Sequence, residues 1–274
     1  MRYADCHIHS IFSHDATSLA TLENIAKGAY ENGAFFIAIT DHNDMEALYN
    51  SYYPRYPEET APDAVHEFID SYKGPLKISY GIELGQPHSF PVEANSFLSA
   101  HPVDTLVCSL HISRDGTDFY SADHKNFTQE QIESVLDLYF DETLEVTSFE
   151  GIDIFAHLSY PLRYIFTKGR YVDIEKFFPK IEKLYKHMVK RNVCLECNTN
   201  SWSRSYLRES MIPVEEKLFS LYYEVGGRLV SFGSDAHDPS KICASFDEAA
   251  EMLKRIGFKS AAFVYKGEIE TYNI

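Results

Sequence analysis

Seven apolar, strand-like runs in this 274-residue chain stop on side chains that bind metals or move protons. CHIH ends in His7 and His9, ITDH in Asp41 and His42, GIE in Glu83, and CSLH in His111. IFAH ends in His157, LECN in Glu196 and Asn198, and FGSDAH in Asp235 and His237. One histidine at a strand end is ordinarily a hydrogen-bonded structural group. Six of the twelve histidines in such positions, beside Glu83 and Asp235, make a different pattern: neutral imidazole with carboxylate is the donor set that borderline divalent metals select. The donors outnumber the roughly four to six that one ion takes, and a catalytic ion keeps a position for water or substrate. Two or three ions are therefore expected. Closely spaced ions lower the pKa of a bridging water and clamp the oxygens of a phosphoryl group during in-line displacement.

Donors scattered from His7 to His237 meet only if the fold carries strand ends to one place. Leu19, Leu22, Ile25, Ala26 and Ala29 recur at helical spacing, with Ser18 as the expected cap and Gly33 as the stop. The continuous apolar run AFFIAIT follows, as expected of a strand covered on both faces. The same alternation returns in LKISYGIE, TLVCSL, GIDIFAH, VCLECN, RLVSFGSD and SAAFVYK. Helical spacing is clearest over 128–143, 173–191, 213–225 and 246–256. Alternating β and α predicts a parallel sheet with right-handed crossovers, and without a glycine-rich phosphate loop a closed or nearly closed α/β barrel is favoured over an open sheet. In such a barrel the C-terminal strand ends share one rim, where these donors would converge. Alternation along the first strand places Asp5, His7 and His9 on one side and leaves Cys6 and Ile8 facing the helices.

One domain spanning 1–274 is expected, with the acidic, tyrosine-rich stretch 43–75 as an insertion able to cover the rim. A formal charge of −16 disfavours nucleic acid and anionic membranes as partners. The N-terminal stretch lacks an apolar signal core, and no run of 18 apolar residues occurs. Together with an odd count of five cysteines, this points to the cytoplasm and reduced thiols. Cys194 and Cys197 in CLEC lie three apart in a strand, on opposite faces, so burial rather than metal binding is expected of them. His14, His66, His88, His101, His124 and His187 fall in loops or helices and are read as mostly surface residues, with His14 next to Asp15.

HxH on the first strand, then TDH, GIE, SLH, AHL and GSDAH in this order, resemble the polymerase-and-histidinol-phosphatase (PHP) superfamily. More narrowly, HSIFSHDA, DGTDFY, HLSYPLRY and LECNT resemble its monofunctional histidinol-phosphate phosphatases over nearly the whole chain. The resemblance implies a distorted (β/α)7 TIM-like barrel with a trinuclear site. It implies that His7, His9, Glu83 and Asp235 hold one ion, that Glu83 bridges to a second held with His111 and His157, and that Asp15, His42 and His237 hold a third. Zinc, manganese and iron all suit such a set. The resemblance also implies phosphate-binding arginines: Arg163 matches one, while Asn200 stands at the place of the other, leaving Arg204 or Arg208 in the same loop as candidates. Ser159 likewise replaces a common aspartate.

The expected activity is metal-dependent hydrolysis of a small phosphomonoester, L-histidinol phosphate above all, with Glu83, His111 and Asp235 at its centre. Alternatives are a PHP phosphoesterase acting on another small ester or a nucleotide, and a noncatalytic metal-binding module. Three divalent ions against the charges of Glu83, Asp15 and Asp235 leave local positivity for a dianion in an acidic protein. No donor for the leaving alkoxide is legible, and oligomeric state is not either.

Overall fold

A computed structural model describes residues 2–274. Seven strands pair in parallel in sequence order: β1 (Tyr3–Ile8), β2 (Ala34–Asp44), β3 (Lys77–Gly85), β4 (Thr105–Ser109), β5 (Ile154–Phe155), β6 (Cys194–Asn198) and β7 (Val230–Gly233). Between them run helices α1 (Leu22–Glu31), α2 (Ala61–Ser71), α3 (Pro91–Ala100), α4 (Gln129–Val146), α5 (Tyr160–Thr167), α6 (Phe178–Arg191) and α7 (Ser205–Glu224), and α8 (Phe246–Ile256) follows β7. The first and last strands meet at the functional end. Ile8 forms a parallel bridge to Ala236, with Asp235 N–H donating to His7 O at 2.8 Å and His9 N–H to Ala236 O at 2.9 Å. This closure makes the (β/α)7 TIM-like barrel expected from the sequence and carries Asp235 to the histidines of β1.

SAAFVYK is a strand, but not an eighth stave. It forms β8 (Ser260–Tyr265), which pairs antiparallel with β9 (Glu268–Asn273). Ala262, Phe263 and Val264 of β8 pack against Ala4, Cys6, Phe36, Ala38, Val107, Ile154 and Cys194. Cys6 therefore joins this cluster instead of facing the helices. Cys6 stays on the side of Ala4 by plain alternation, and the slip in β1–β2 pairing between Asp5 and Ile8 resets the face that the residues after it present. Ile8 does pack with Leu22, Ile25 and Ala26 of α1, as expected.

Helix starts differ from the sequence reading in two places. Thr21, not Ser18, caps α1 by accepting Asn24 N–H, and Leu19 is left exposed before the helix. α7 begins at Ser205, eight residues before the periodic stretch, and carries Pro213 inside it. The stretch 43–75 also resolves differently. Its first two residues end β2, Met45–Leu48 form a 3-10 turn, and α2 is the ordinary crossover to β3, so the irregular part is 49–60. The cysteines of CLEC are both buried, with Cys194 beside the hairpin and Cys197 among the helix-facing core residues, the opposite faces that a strand dictates.

Candidate metal centre

All nine expected donors lie on the same rim. Glu83, at the end of β3, is the hub. Its Oε2 is 3.2 Å from His7 Nε2, 3.5 Å from His9 Nε2 and 2.8 Å from His42 Nδ1. Its Oε1 is 3.2 Å from His111 Nε2 and 2.9 Å from His157 Nε2. Asp235 Oδ1 lies 3.3 Å from His9 Nε2. At the outer edge, Asp15 Oδ2 is 3.1 Å from His237 Nε2 and 3.7 Å from His42 Nε2. Four triads have donor atoms close enough to share an ion: His7/His9/Asp235, His7/Glu83/His157, His42/Glu83/His111 and His9/His42/His237. The rings thus interleave across the three sets implied by the resemblance rather than separating into them. His14 is exposed, its ring centroid 5.9 Å from that of His42.

Two donors depend on unusual backbone. His157 and Asp235 have positive φ, 26° and 51°, immediately beyond short strands. Residues other than glycine rarely adopt this conformation, and such strain persists where surrounding structure fixes it, commonly at functional sites. Here it turns both side chains in toward Glu83 and His9.

A second layer holds the rings. Glu196 Oε1 lies 2.7 Å from His7 Nδ1, while its Oε2 accepts the His157 N–H at 2.6 Å and Asn198 Nδ2 at 3.2 Å. Asp44 Oδ1 lies 2.9 Å from His111 Nδ1, and His237 Nδ1 lies 3.0 Å from the carbonyl of Asp235. In each case the ring nitrogen away from the cluster is engaged, leaving the inward nitrogen to a cation. Glu196 stood among the strand-end residues in the sequence. Asp44 and Ser13 gave no sign beyond proximity to a motif. Gly233 is part of the same arrangement, because a Cβ there would overlap Glu196 Oε1 and come within 2.8 Å of His7 Cβ.

The electrostatics show competition between burial and pairing. Burial alone would raise the Glu83 carboxyl, but His42, His7 and His111 hold it well below the usual range. Burial likewise opposes charge on His7 and His42, and carboxylates overcome it: Glu196 and Glu83 raise His7, and Glu83 and Asp15 raise His42. His111 is pushed up to about 10 against its burial by Asp44 and Glu83. Burial lowers His9 and His157 and wins there, with His237 and His42 adding to the effect on His9. Asp15 stays well below its ordinary range because hydrogen bonds from His237 and His42 outweigh burial.

The donor set fits metal ions on a direct observation. His7 Nε2, His9 Nε2, His42 Nδ1 and Glu83 Oε2 are buried and face one another without making a hydrogen bond. Buried polar atoms are normally satisfied, and a cluster of lone-pair atoms is satisfied by a cation between them.

The arginines separate. Arg163 is buried at 6% exposure, Nη2 donating to Asn198 Oδ1 at 3.1 Å and Nη1 lying 3.5 Å from Asp235 Oδ2. Its Nε is buried without a partner. Arg204, expected as the second phosphate ligand, is instead exposed at the start of α7, and among the described residues its side chain makes no hydrogen bond or ion pair. Arg208 pairs with Glu248. Asn200 reaches the site with its amide, donating from Nδ2 to the Asp235 carbonyl at 2.8 Å. Ser159 donates to the buried carboxylate of Glu215 on α7, a residue the sequence reading did not single out. His124, expected at the surface, is buried, with Nε2 2.9 Å from the Phe119 carbonyl.

A PHP domain model matches residues 5–200. The chain belongs to the PHP domain family. Among its relatives, the histidinol-phosphatase of Lactococcus lactis is 28% identical over 284 residues, covering 96% of this chain and 94% of the relative. A probable histidinol-phosphatase of Clostridium acetobutylicum is 26% identical over 261 residues, covering 94% of this chain and 96% of the relative. The solved structure of the Lactococcus lactis histidinol phosphate phosphatase, complexed with zinc, L-histidinol and phosphate, superposes with a TM-score of 0.79 at 22% identity. It covers 98% of this chain and 99% of that one. This PHP chain and that enzyme thus share one barrel fold.

Proposed function

We propose that this PHP protein is a metal-dependent phosphatase that hydrolyses L-histidinol phosphate to L-histidinol and phosphate. The observation that carries the reading is the meeting of His7, His9, Asp15, His42, Glu83, His111, His157, Asp235 and His237 at one rim, with the guanidinium of Arg163 beside them. The names of full-length relatives support the choice of substrate.

Two or three divalent ions held there, zinc, manganese or iron, would supply an activated water and neutralise phosphoryl charge. His7, His9, Glu83 and Asp235 would hold one, Glu83 with His111 and His157 a second, and Asp15, His42 and His237 a third. Glu83 is suited to bridging because its two oxygens face different histidines. Arg163 is held by Asn198 and Asp235, so its guanidinium stands beside the rim without rotamer cost and would stabilise a phosphoryl oxygen as charge builds on it. Arg204 has no part in this arrangement. We read residues 49–60 as the cover over the rim; Tyr53 reaches from them to Asp118 in the loop after β4, at 3.4 Å. Five free thiols agree with a cytoplasmic enzyme, and the net charge of −16 agrees with a small substrate rather than nucleic acid.

The test is phosphate release from a panel of esters by protein purified without chelators and supplied with zinc or manganese. L-histidinol phosphate is expected to give the highest kcat/KM. A nucleotide or sugar phosphate ranking above it overturns the substrate, and no hydrolysis of any ester overturns the activity.

A further inference from the structure

Behind His9 lies a group of buried polar atoms that the reaction does not touch. Ser13 Oγ is 3.0 Å from His9 Nδ1, 3.1 Å from the backbone nitrogen of His42 and 2.7 Å from Asp41 Oδ1. Asp41 Oδ1 also accepts the Ser10 N–H at 2.7 Å, and its Oδ2 accepts the Ser10 hydroxyl at 2.7 Å. His9, Ser13 and Asp41 are 0%, 3% and 2% exposed, so water does not stand in for any of them.

A hydroxyl has one proton and two lone pairs. The His42 N–H can only donate, and it occupies one lone pair. The Asp41 carboxylate can only accept, and it takes the proton. The remaining lone pair can only receive a proton from His9 Nδ1. A neutral imidazole carries a single N–H, so Nε2 of His9 is left bare, facing Asp235 Oδ1 at 3.3 Å and Glu83 Oε2 at 3.5 Å.

We propose that Ser13, backed by Asp41, locks His9 in the tautomer that presents Nε2 to a cation. Because the same hydroxyl holds the backbone of His42, it also fixes the inner and outer donor groups to one point. Ser13 and Asp41 are positioning residues, acting through His9. The purpose assigned to the lock rests on reading His9 as a metal ligand, but the lock itself exists in the metal-free protein.

Long-range proton–nitrogen correlation of the imidazoles in the full-length, metal-free protein at pH 8 reads the His9 tautomer directly. The proton is expected on Nδ1. Ser13→Ala is expected to release the ring, with the Nε2–H form gaining population, and to weaken zinc binding about 10–100-fold in competition with a chromophoric chelator. Ser13→Thr, which keeps the hydroxyl, is expected to restore both. Ser10→Ala removes a different hydrogen bond to the same carboxylate and is expected to leave the His9 tautomer unchanged. A wild-type His9 protonated on Nε2 overturns the lock, as does a Ser13→Ala protein with wild-type tautomer and zinc affinity. If Ser13→Ala does not fold, the wild-type tautomer alone decides. Failure of the metal-centre reading would appear instead as wild-type protein that does not bind zinc, a separate result.

Discussion

Glu196 Oε1 lies 2.7 Å from His7 Nδ1, and the other oxygen of the same carboxylate takes the backbone N–H of His157 at 2.6 Å. One side chain on β6 thereby aims two donors that come from β1 and from the turn after β5. Removing it in Glu196→Ala leaves His7 free to rotate and to change tautomer. Metal content and kcat/KM are expected to fall about 10–100-fold, the usual cost of deleting an outer-shell partner. Glu196→Gln keeps one acceptor oxygen for the donors of His7, His157 and Asn198, and a smaller loss is expected. Elemental analysis beside steady-state kinetics checks both, and full metal content in Glu196→Ala would contradict the role.

Arg163 and Arg204 make opposite predictions. Arg163 is buried against Asn198 and Asp235, whereas Arg204 is exposed and unengaged. A hydrogen bond to a charged group contributes about 1.5–3 kcal/mol, which corresponds to roughly 10–100-fold in rate. Arg163→Met is expected to lose that much in kcat/KM with metal content retained. Arg204→Ala is expected to keep wild-type kinetics, and an equal loss in both variants would return Arg204 to the site.

Stability should follow metal. Buried lone pairs of His7, His9, His42 and Glu83 face one another without hydrogen bonds, and an ion that binds only the folded chain stabilises it by mass action. At a free concentration about 100-fold above its Kd, each ion contributes about 2.7 kcal/mol. Chelator-treated protein is expected to melt several degrees lower in calorimetry, with zinc restoring the original Tm. A Tm indifferent to both treatments would contradict the centre.

The candidate ligands were legible because metal chemistry restricts residue type and because strand ends in a parallel barrel share a rim. What the sequence hid was set by three-dimensional coincidence. The slip in β1 between Asp5 and Ile8 separates Cys6, which stays with Ala4 against β8, from Ile8, which packs on α1, and strict alternation cannot foresee such a slip. SAAFVYK has the composition of a stave, and only its pairing with β9 takes it out of the barrel. Ser13, Asp44 and Glu215 carry no local signature, since the partners Asp41, His111 and Ser159 lie 28, 67 and 56 residues away. α7 runs through Pro213 and begins at Ser205, and that early start, which the periodic stretch from 213 did not show, leaves Arg204 just ahead of a helix and puts Arg208 on it.

Glu215 gives the pH prediction. It is 6% exposed and accepts a hydrogen bond from Ser159; burial pushes its carboxyl from 4.5 up to about 7, against the lowering effects of Ser159 and Arg163. The folded state therefore holds this proton more tightly than the unfolded state. Stability from the group is fully present below pH 4.5 and is lost as the pH rises toward about 7. At 1.36 kcal/mol per pH unit, the loss approaches about 3 kcal/mol by pH 8. Glu215→Gln keeps the shape of the protonated acid and cannot ionise, so it is expected to match wild type at pH 4.5 and to exceed its stability at pH 8. Urea unfolding of the two chelator-treated proteins at both pH values measures the difference, and a gap that does not widen between them would show that Glu215 ionises without cost where it lies.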